Sequence, residues 1–182
     1  MINGLVFSEL NQGPDARGIV REFFRRSRST DSGVSEPEGA WAQINVTESN
    51  YGAVRGLHAE ETNKLIGIVS GDAFGVWVDA RPKSETFGEI VTSALFPGKQ
   101  VYVPSGVLNG WQSLASPSQY LYCFSAEWTV DLEGIWVNPL DPTLAIPWPI
   151  SIENGNRSQI SEKDESAATW GATRVFLINR FV

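Results

Sequence analysis

One histidine, His58, occurs in the whole chain, within Arg55-Gly56-Leu57-His58 and six residues ahead of Lys64. An imidazole titrates near pH 6.5, so it suits proton abstraction at neutral pH. The same count excludes other chemistry. Metal centres of the dioxygenase or isomerase kind use two or three imidazoles plus a carboxylate, which one histidine cannot supply. One cysteine, Cys123, cannot complete a zinc site, and no Gly-x-Ser-x-Gly elbow is present for a serine hydrolase. On a regular strand, Gly56 and Glu60 share the face of His58. Arg55 then reaches the same cavity only through a bend at Gly56 or a turn.

The elements that must position these groups read as β. Lys64–Ser70 is a short apolar run. Ala73–Asp79 alternates, with Phe74, Val76 and Val78 on one side and Gly75, Trp77 and Asp79 on the other. Gly71-Asp72 between them predicts a hairpin turn. Further strands are expected over Glu89–Leu95, Gln100–Val103, Gly110–Leu114 and Gln119–Glu127, separated by Pro97-Gly98 and Pro104-Ser105-Gly106. Short strands at this spacing suggest a sandwich, jelly roll or barrel. Ser29–Ala40 is expected to be a surface loop, and Glu22–Arg28 a turn or short helix. Ser161 is a candidate N-cap, with Asp164 three residues on. Arg174–Val182 is read as a last strand or a tail packed on a neighbour.

The chain has 182 residues, 42% hydrophobic and 19% charged, which suits one globular domain over 1–182 with a substantial core. Its net charge of -7 argues against a nucleic-acid partner, although a few well-placed cations suffice for one small phosphorylated ligand. A single cysteine, no basic start and no long apolar run predict a cytoplasmic protein with no membrane span.

Ordered motifs run along almost the whole length: Asp15-Ala16-Arg17-Gly18 and Glu22; Gln43-Ile44-Asn45; Arg55-Gly56-Leu57-His58; Lys64; Val78-Asp79-Ala80-Arg81, Ser84 and Thr86-Phe87-Gly88; Pro104-Ser105-Gly106; Tyr120-Leu121-Tyr122; Glu133-Gly134-Ile135; Ile146-Pro147-Trp148-Pro149; and Ile160-Ser161-Glu162-Lys163-Asp164. In this order and spacing the chain resembles the dTDP-4-dehydrorhamnose 3,5-epimerase family. The resemblance implies an all-β, cupin-type jelly-roll barrel with a few short helices, acting without metal or cofactor as a homodimer. It implies a nucleoside-diphosphate 4-keto-6-deoxy sugar as substrate. By position it makes His58 the base, Asp164 the carboxylate that orients it, Tyr122 the proton donor on the opposite face and Lys64 the cation beside the keto oxygen. Arg17, Glu22, Gln43, Asn45, Arg55, Glu133 and Lys163 fall at substrate contacts, with Arg17 and Glu22 reaching in from the neighbouring subunit.

The chemistry accounts for such a set. A C–H beside a ketone becomes acidic when charge moves onto the oxygen as an enolate, and a fixed cation there stabilises it by roughly 3 kcal/mol. Taken singly, each residue also has a plain structural role. Tyr122 would be a core aromatic, Asp164 the support of a helix's first turn, Lys64 and Lys163 solvated charges, and Arg17 half of a surface ion pair. Three positions depart from the family's pattern. Asn109 stands where a second histidine is common, Glu60 where glutamine is frequent, and Glu127-Trp128 where paired aromatics meet the nucleotide base; Trp128 can still stack on a base. Compatible alternatives are epimerisation at only one of C3 and C5, a 4-keto sugar isomerase of the same fold, and a cupin that binds a sugar nucleotide without turnover.

Overall fold

The computed structural model describes residues 1–29, 41–129 and 134–181. Ten of the strands form two five-stranded antiparallel sheets. The first runs, edge to edge, β1 (Val6–Glu9), β9 (Lys99–Val103), β6 (Lys64–Ser70), β11 (Ser118–Phe124) and β4 (Gln43–Ser49). The second runs β12 (Gly134–Trp136), β5 (Val54–Glu60), β10 (Val107–Ser113), β7 (Ala73–Asp79) and β8 (Ile90–Leu95). Consecutive strands mostly switch sheets, the connectivity of a jelly roll. A separate hairpin pairs β2 (Asn11–Asp15) with β3 (Gly18–Glu22).

Alternation decides the layers. In β7, Trp77 turns into the sandwich with Ile66, Ile68, Val101, Val107 and Leu95, while Val76 and Val78 pack outward. The outward layer is covered by the chain's last third, through Val137, Leu144, Trp170 and Leu177. A third cluster on the outer face of the first sheet gathers Leu65, Tyr102 and Cys123 under Phe23, Phe24 and Trp41.

Two expectations are corrected. Gly71-Asp72 turns the chain, but β6 and β7 lie in different sheets and share no ladder, so it is an arch rather than a hairpin. The turn or short helix expected over Glu22–Arg28 is present as α1 (Arg26–Ser29). The C-terminal stretch is a helix, α3 (Trp170–Phe181), rather than a strand or a tail on a neighbour. Its buried positions, Trp170, Thr173 and Leu177, recur at three- and four-residue spacing, which lays one helical face on the chain's own sheet. The expected loop over Ser29–Ala40 falls almost wholly outside the described residues.

Asp79 ties the end of β7 to the loop that follows. Its carboxylate is fully enclosed and accepts from Arg81 Nη2 at 2.7 Å, Ser84 Oγ at 2.6 Å and Thr86 Oγ1 at 2.5 Å. Burial opposes the charge, but these donors outweigh it and bring the pKa from 3.8 down to about 2. A depressed carboxyl pKa adds stability above the unfolded value and loses it as pH falls through the folded one. Asp79 should therefore contribute about 2 kcal/mol above pH 5, lost between roughly pH 4 and 2. Urea titrations of the parent and Asp79→Ala should show that difference at pH 6 and its disappearance near pH 2.

Candidate active site

A cavity of about 580 Å³ lies between β4, β11 and β6 of the first sheet and β12, β5 and β10 of the second. The apolar cluster between the sheets is centred on the opposite half, so the sandwich is filled on one side and hollow on the other. Period two places the lining. β11 sends Tyr120, Tyr122 and Phe124 inward, and β4 sends Gln43, Asn45 and Thr47. Between those, Ile44 and Val46 of β4 face outward and are 62% and 57% exposed.

Arg55 and His58 both line the cavity although they are three residues apart on one strand. The ladder between β5 and β10 shows how. Asn109 pairs with His58 and Trp111 with Arg55, so Gly56 and Leu57 together oppose only Gly110. This is a β-bulge, and the extra residue returns Arg55 to the face of His58. Gly56 has φ +125°, and a Cβ on it would lie 2.5 Å from the Gly110 Cα. The bend expected at Gly56 is therefore present, and close backbone approach requires glycine there, while a Cβ on Gly110 would meet the Leu57 side chain at 2.6 Å. Arg55 is braced by Ser49, whose Oγ accepts from its Nε at 2.7 Å.

Asp164 comes from α2 (Glu162–Glu165), one turn capped by Ser161, whose Oγ accepts from the Asp164 N–H at 3.0 Å. Asp164 thus does support a first helical turn, and it also meets the imidazole: His58 Nε2 and Asp164 Oδ1 are 2.6 Å apart. Burial raises the cost of the carboxylate charge. The hydrogen bonds and charge of His58, with further bonds from Ser161 and Gly56, outweigh it and hold the carboxyl below the usual range. No other hydrogen bond to His58 engages Nδ1 among the described residues.

Tyr122 and Lys64 belong to the facing sheet. The Tyr122 hydroxyl lies 3.1 Å from Thr47 Oγ1, and its ring meets Phe124 edge-on at 5.1 Å. Lys64 is buried and hydrogen-bonded to the buried carboxylate of Glu60, so it is not a solvated charge. Glu60 thereby has a definite place: it neutralises the cavity's innermost ammonium. Asn45, Gln43 and Asn109 line the cavity, and Trp128, 47% exposed, stands at its rim with its backbone N–H donating to Gln43 Oε1. The Lys163 ammonium sits 4.2 Å from the centre of the Trp136 ring, also in the cavity wall.

Not every expected residue gathers there. Arg17 pairs with Asp15 at 2.6 Å on the exposed β2–β3 hairpin, and Glu22 bonds to Arg25; neither lines this chain's cavity. Glu133 lies outside the described residues. Conversely, the cavity uses Trp136, Arg157 and Thr47, which carried no signal read from sequence, and Tyr120, which stood in the ordered motifs without a role. Trp136 is the direct ladder partner of His58, a pairing no local pattern announces. Among the described residues no three His, Cys, Asp or Glu side chains converge as a metal site requires. Cys123 points away, buried on the outer face, its thiol pushed up to about 11 by burial.

The family model for dTDP-4-dehydrorhamnose 3,5-epimerase matches residues 1–171. The chain belongs to that family. A Streptococcus pyogenes relative named as an RmlC homolog is 35% identical over 170 residues, covering 91% of this chain and 84% of the relative. A dTDP-4-dehydro-6-deoxyglucose 3-epimerase from a Streptomyces species is 36% identical over 162 residues, 85% of this chain and 79% of its own. Among solved structures, the 3'-monoepimerase ChmJ from Streptomyces bikiniensis, in complex with dTDP-quinovose, superposes with a TM-score of 0.84 at 33% identity. It covers 97% of this chain and 89% of its own. Family and cupin-type fold thus agree with the motif order, and the relatives include both 3,5-epimerases and 3-epimerases.

Proposed function

We propose that this chain epimerises a nucleoside-diphosphate 4-keto-6-deoxy sugar at C3, C5 or both. The observation that carries the reading is His58 on one sheet, 2.6 Å from Asp164 of α2, facing Tyr122 and Lys64 on the other sheet across one cavity. Inversion needs a base and an acid on opposite faces of the sugar ring, and two facing sheets supply that arrangement. Asp164 holds Nε2, so Nδ1 is the nitrogen that takes the proton, and the pair stabilises the imidazolium that results. The Lys64 ammonium donates to the keto oxygen as it becomes an enolate. Tyr122 then delivers a proton from the other face. Arg55, Lys163, Gln43, Asn45 and Asn109 bind the sugar and diphosphate, and Trp128 stacks on the base. No cofactor is used, because the ketone is the electron sink.

Residues 1–182 act as one domain in the cytoplasm, without nucleic acid or membrane, and as a homodimer. The dimer is supported by the outward Ile44 and Val46 and by Val20, 74% exposed on the β2–β3 hairpin that carries Arg17 and Glu22 away from their own cavity. Arg17, Glu22 and Glu133 are assigned to substrate contacts, the first two across that dimer.

The test is incubation with dTDP-4-keto-6-deoxyglucose in deuterated water, following the C3 and C5 protons by NMR. Tyr122→Phe should still take up deuterium, since the base can return it to the face it left, while inversion slows by about 10²- to 10³-fold. Unchanged inversion in Tyr122→Phe would remove the tyrosine from the mechanism. The pairing of Lys64 with Glu60 favours one other reading, binding without turnover; tight binding with no deuterium uptake at either carbon would establish it.

A further inference from the structure

Tyr120 is the least accessible polar group of the cavity wall. Its ring is 2% exposed and stacks on Trp111, centroids 4.5 Å apart and planes 6° from parallel. Its hydroxyl donates to Asn109 Oδ1 at 3.2 Å. Burial raises the phenol's pKa, so the group remains a donor at working pH and is no rival to Tyr122 as the acid. Asn109 is the direct cross-strand partner of His58, which sets its side chain about 5 Å from the imidazole's on the cavity face. An amide has one accepting end and one donating end, and the phenol occupies the accepting end. No hydrogen bond to a described residue takes up the Nδ2 protons.

We propose that Tyr120 is a positioning residue that fixes the Asn109 amide with its two N–H donors turned to the cavity, where they bind a sugar oxygen on the His58 side of the ring. This rests on the epimerase reading only for the identity of the ligand. A neutral donor beside the base favours an oxygen that keeps its charge low, so the pair selects which carbon His58 reaches.

Three variants test it. Asn109→Asp keeps an acceptor for the Tyr120 hydroxyl and removes both donors; Asn109→Ala removes everything; Tyr120→Phe frees the amide to flip. With dTDP-4-keto-6-deoxyglucose in deuterated water, both Asn109 variants should lose about 10- to 100-fold in kcat/KM. Tyr120→Phe should lose about 10-fold, and the ratio of C3 to C5 exchange should change in all three. Tyr120→Phe on the Asn109→Ala background should cost nothing further. Wild-type rates in Asn109→Asp would overturn the proposal, as would independent, multiplying losses from Tyr120→Phe and Asn109→Ala. Calorimetric binding of the same sugar nucleotide runs alongside. If the wild type binds without exchange, the epimerase reading falls. The proposal is then decided by affinity: about tenfold weaker binding in Asn109→Asp supports it, and equal binding overturns it.

Discussion

Replacing His58 with Ala is expected to slow deuterium uptake beside the ketone by at least about 10³-fold, with binding of the sugar nucleotide retained within about tenfold. The chain has no other histidine to substitute. The remaining cavity carboxylates are committed elsewhere: Asp164 to the imidazole itself, and Glu60 to Lys64. The Ala side chain also leaves Asp164 buried without its partner, so some loss of stability accompanies the loss of rate. His58→Asn keeps a polar group near Asp164 and separates the two effects. Its rate should fall like that of His58→Ala while its unfolding midpoint stays closer to the parent's. Exchange at more than a tenth of the parental rate in either variant would remove His58 as the base.

Gly56→Ala is expected to do more damage than its one methyl group suggests. The new Cβ would meet the Gly110 Cα at 2.5 Å and the Asn109 carbonyl oxygen at 2.9 Å. Both obstacles are backbone, and the φ of +125° suits glycine alone. Neither strand can yield without opening the β5–β10 ladder. We expect a loss of about 3 kcal/mol or more, read as a fall of roughly 6–12 °C in Tm. Relief by straightening the bulge would turn Arg55 or His58 out of the cavity, so binding and activity should fall together. Parental Tm and activity in the Gly56→Ala variant would show that the bulge is dispensable.

How much of this was legible in the sequence follows from what kind of pattern each feature leaves. β7 was readable because burial on both faces of a strand still leaves a two-residue rhythm of large side chains, with Trp77 inward and Val76 and Val78 outward. The bulge was only half readable: Arg55 and His58 share a face through a bend at Gly56 or through a turn, and the ladder with β10 decides for the bend. The pairing of β6 and β7 was misread because a glycine turn has the same composition whether the strands it joins lie in one sheet or two. α3 was missed because its apolar residues surround the helix, with Val175, Phe176 and Ile178 exposed beside the buried Leu177, which blurs the helical period. The His58–Asp164 contact spans 106 positions, and only the ordered motifs pointed to it. Trp136 reaches the cavity through a strand pairing that leaves no local trace, whereas Thr47 and Tyr120 share the two-residue period of Gln43, Asn45 and Tyr122. Glu60 was read as a departure, and its attachment to Lys64 emerged only from the turn that brings the two strands together.

The division of the sandwich into a filled half and a hollow half has an evolutionary consequence. Residues such as Trp77, Ile68 and Val101 hold the two sheets together at one side. Gln43, Asn45, Trp128 and Trp136 surround open space at the other. A change in the second group alters shape and polarity where there is room to absorb it, at little cost to folding. Such a scaffold can exchange one sugar, one nucleotide or one target carbon for another by single steps, each leaving a folded protein for the next to act on.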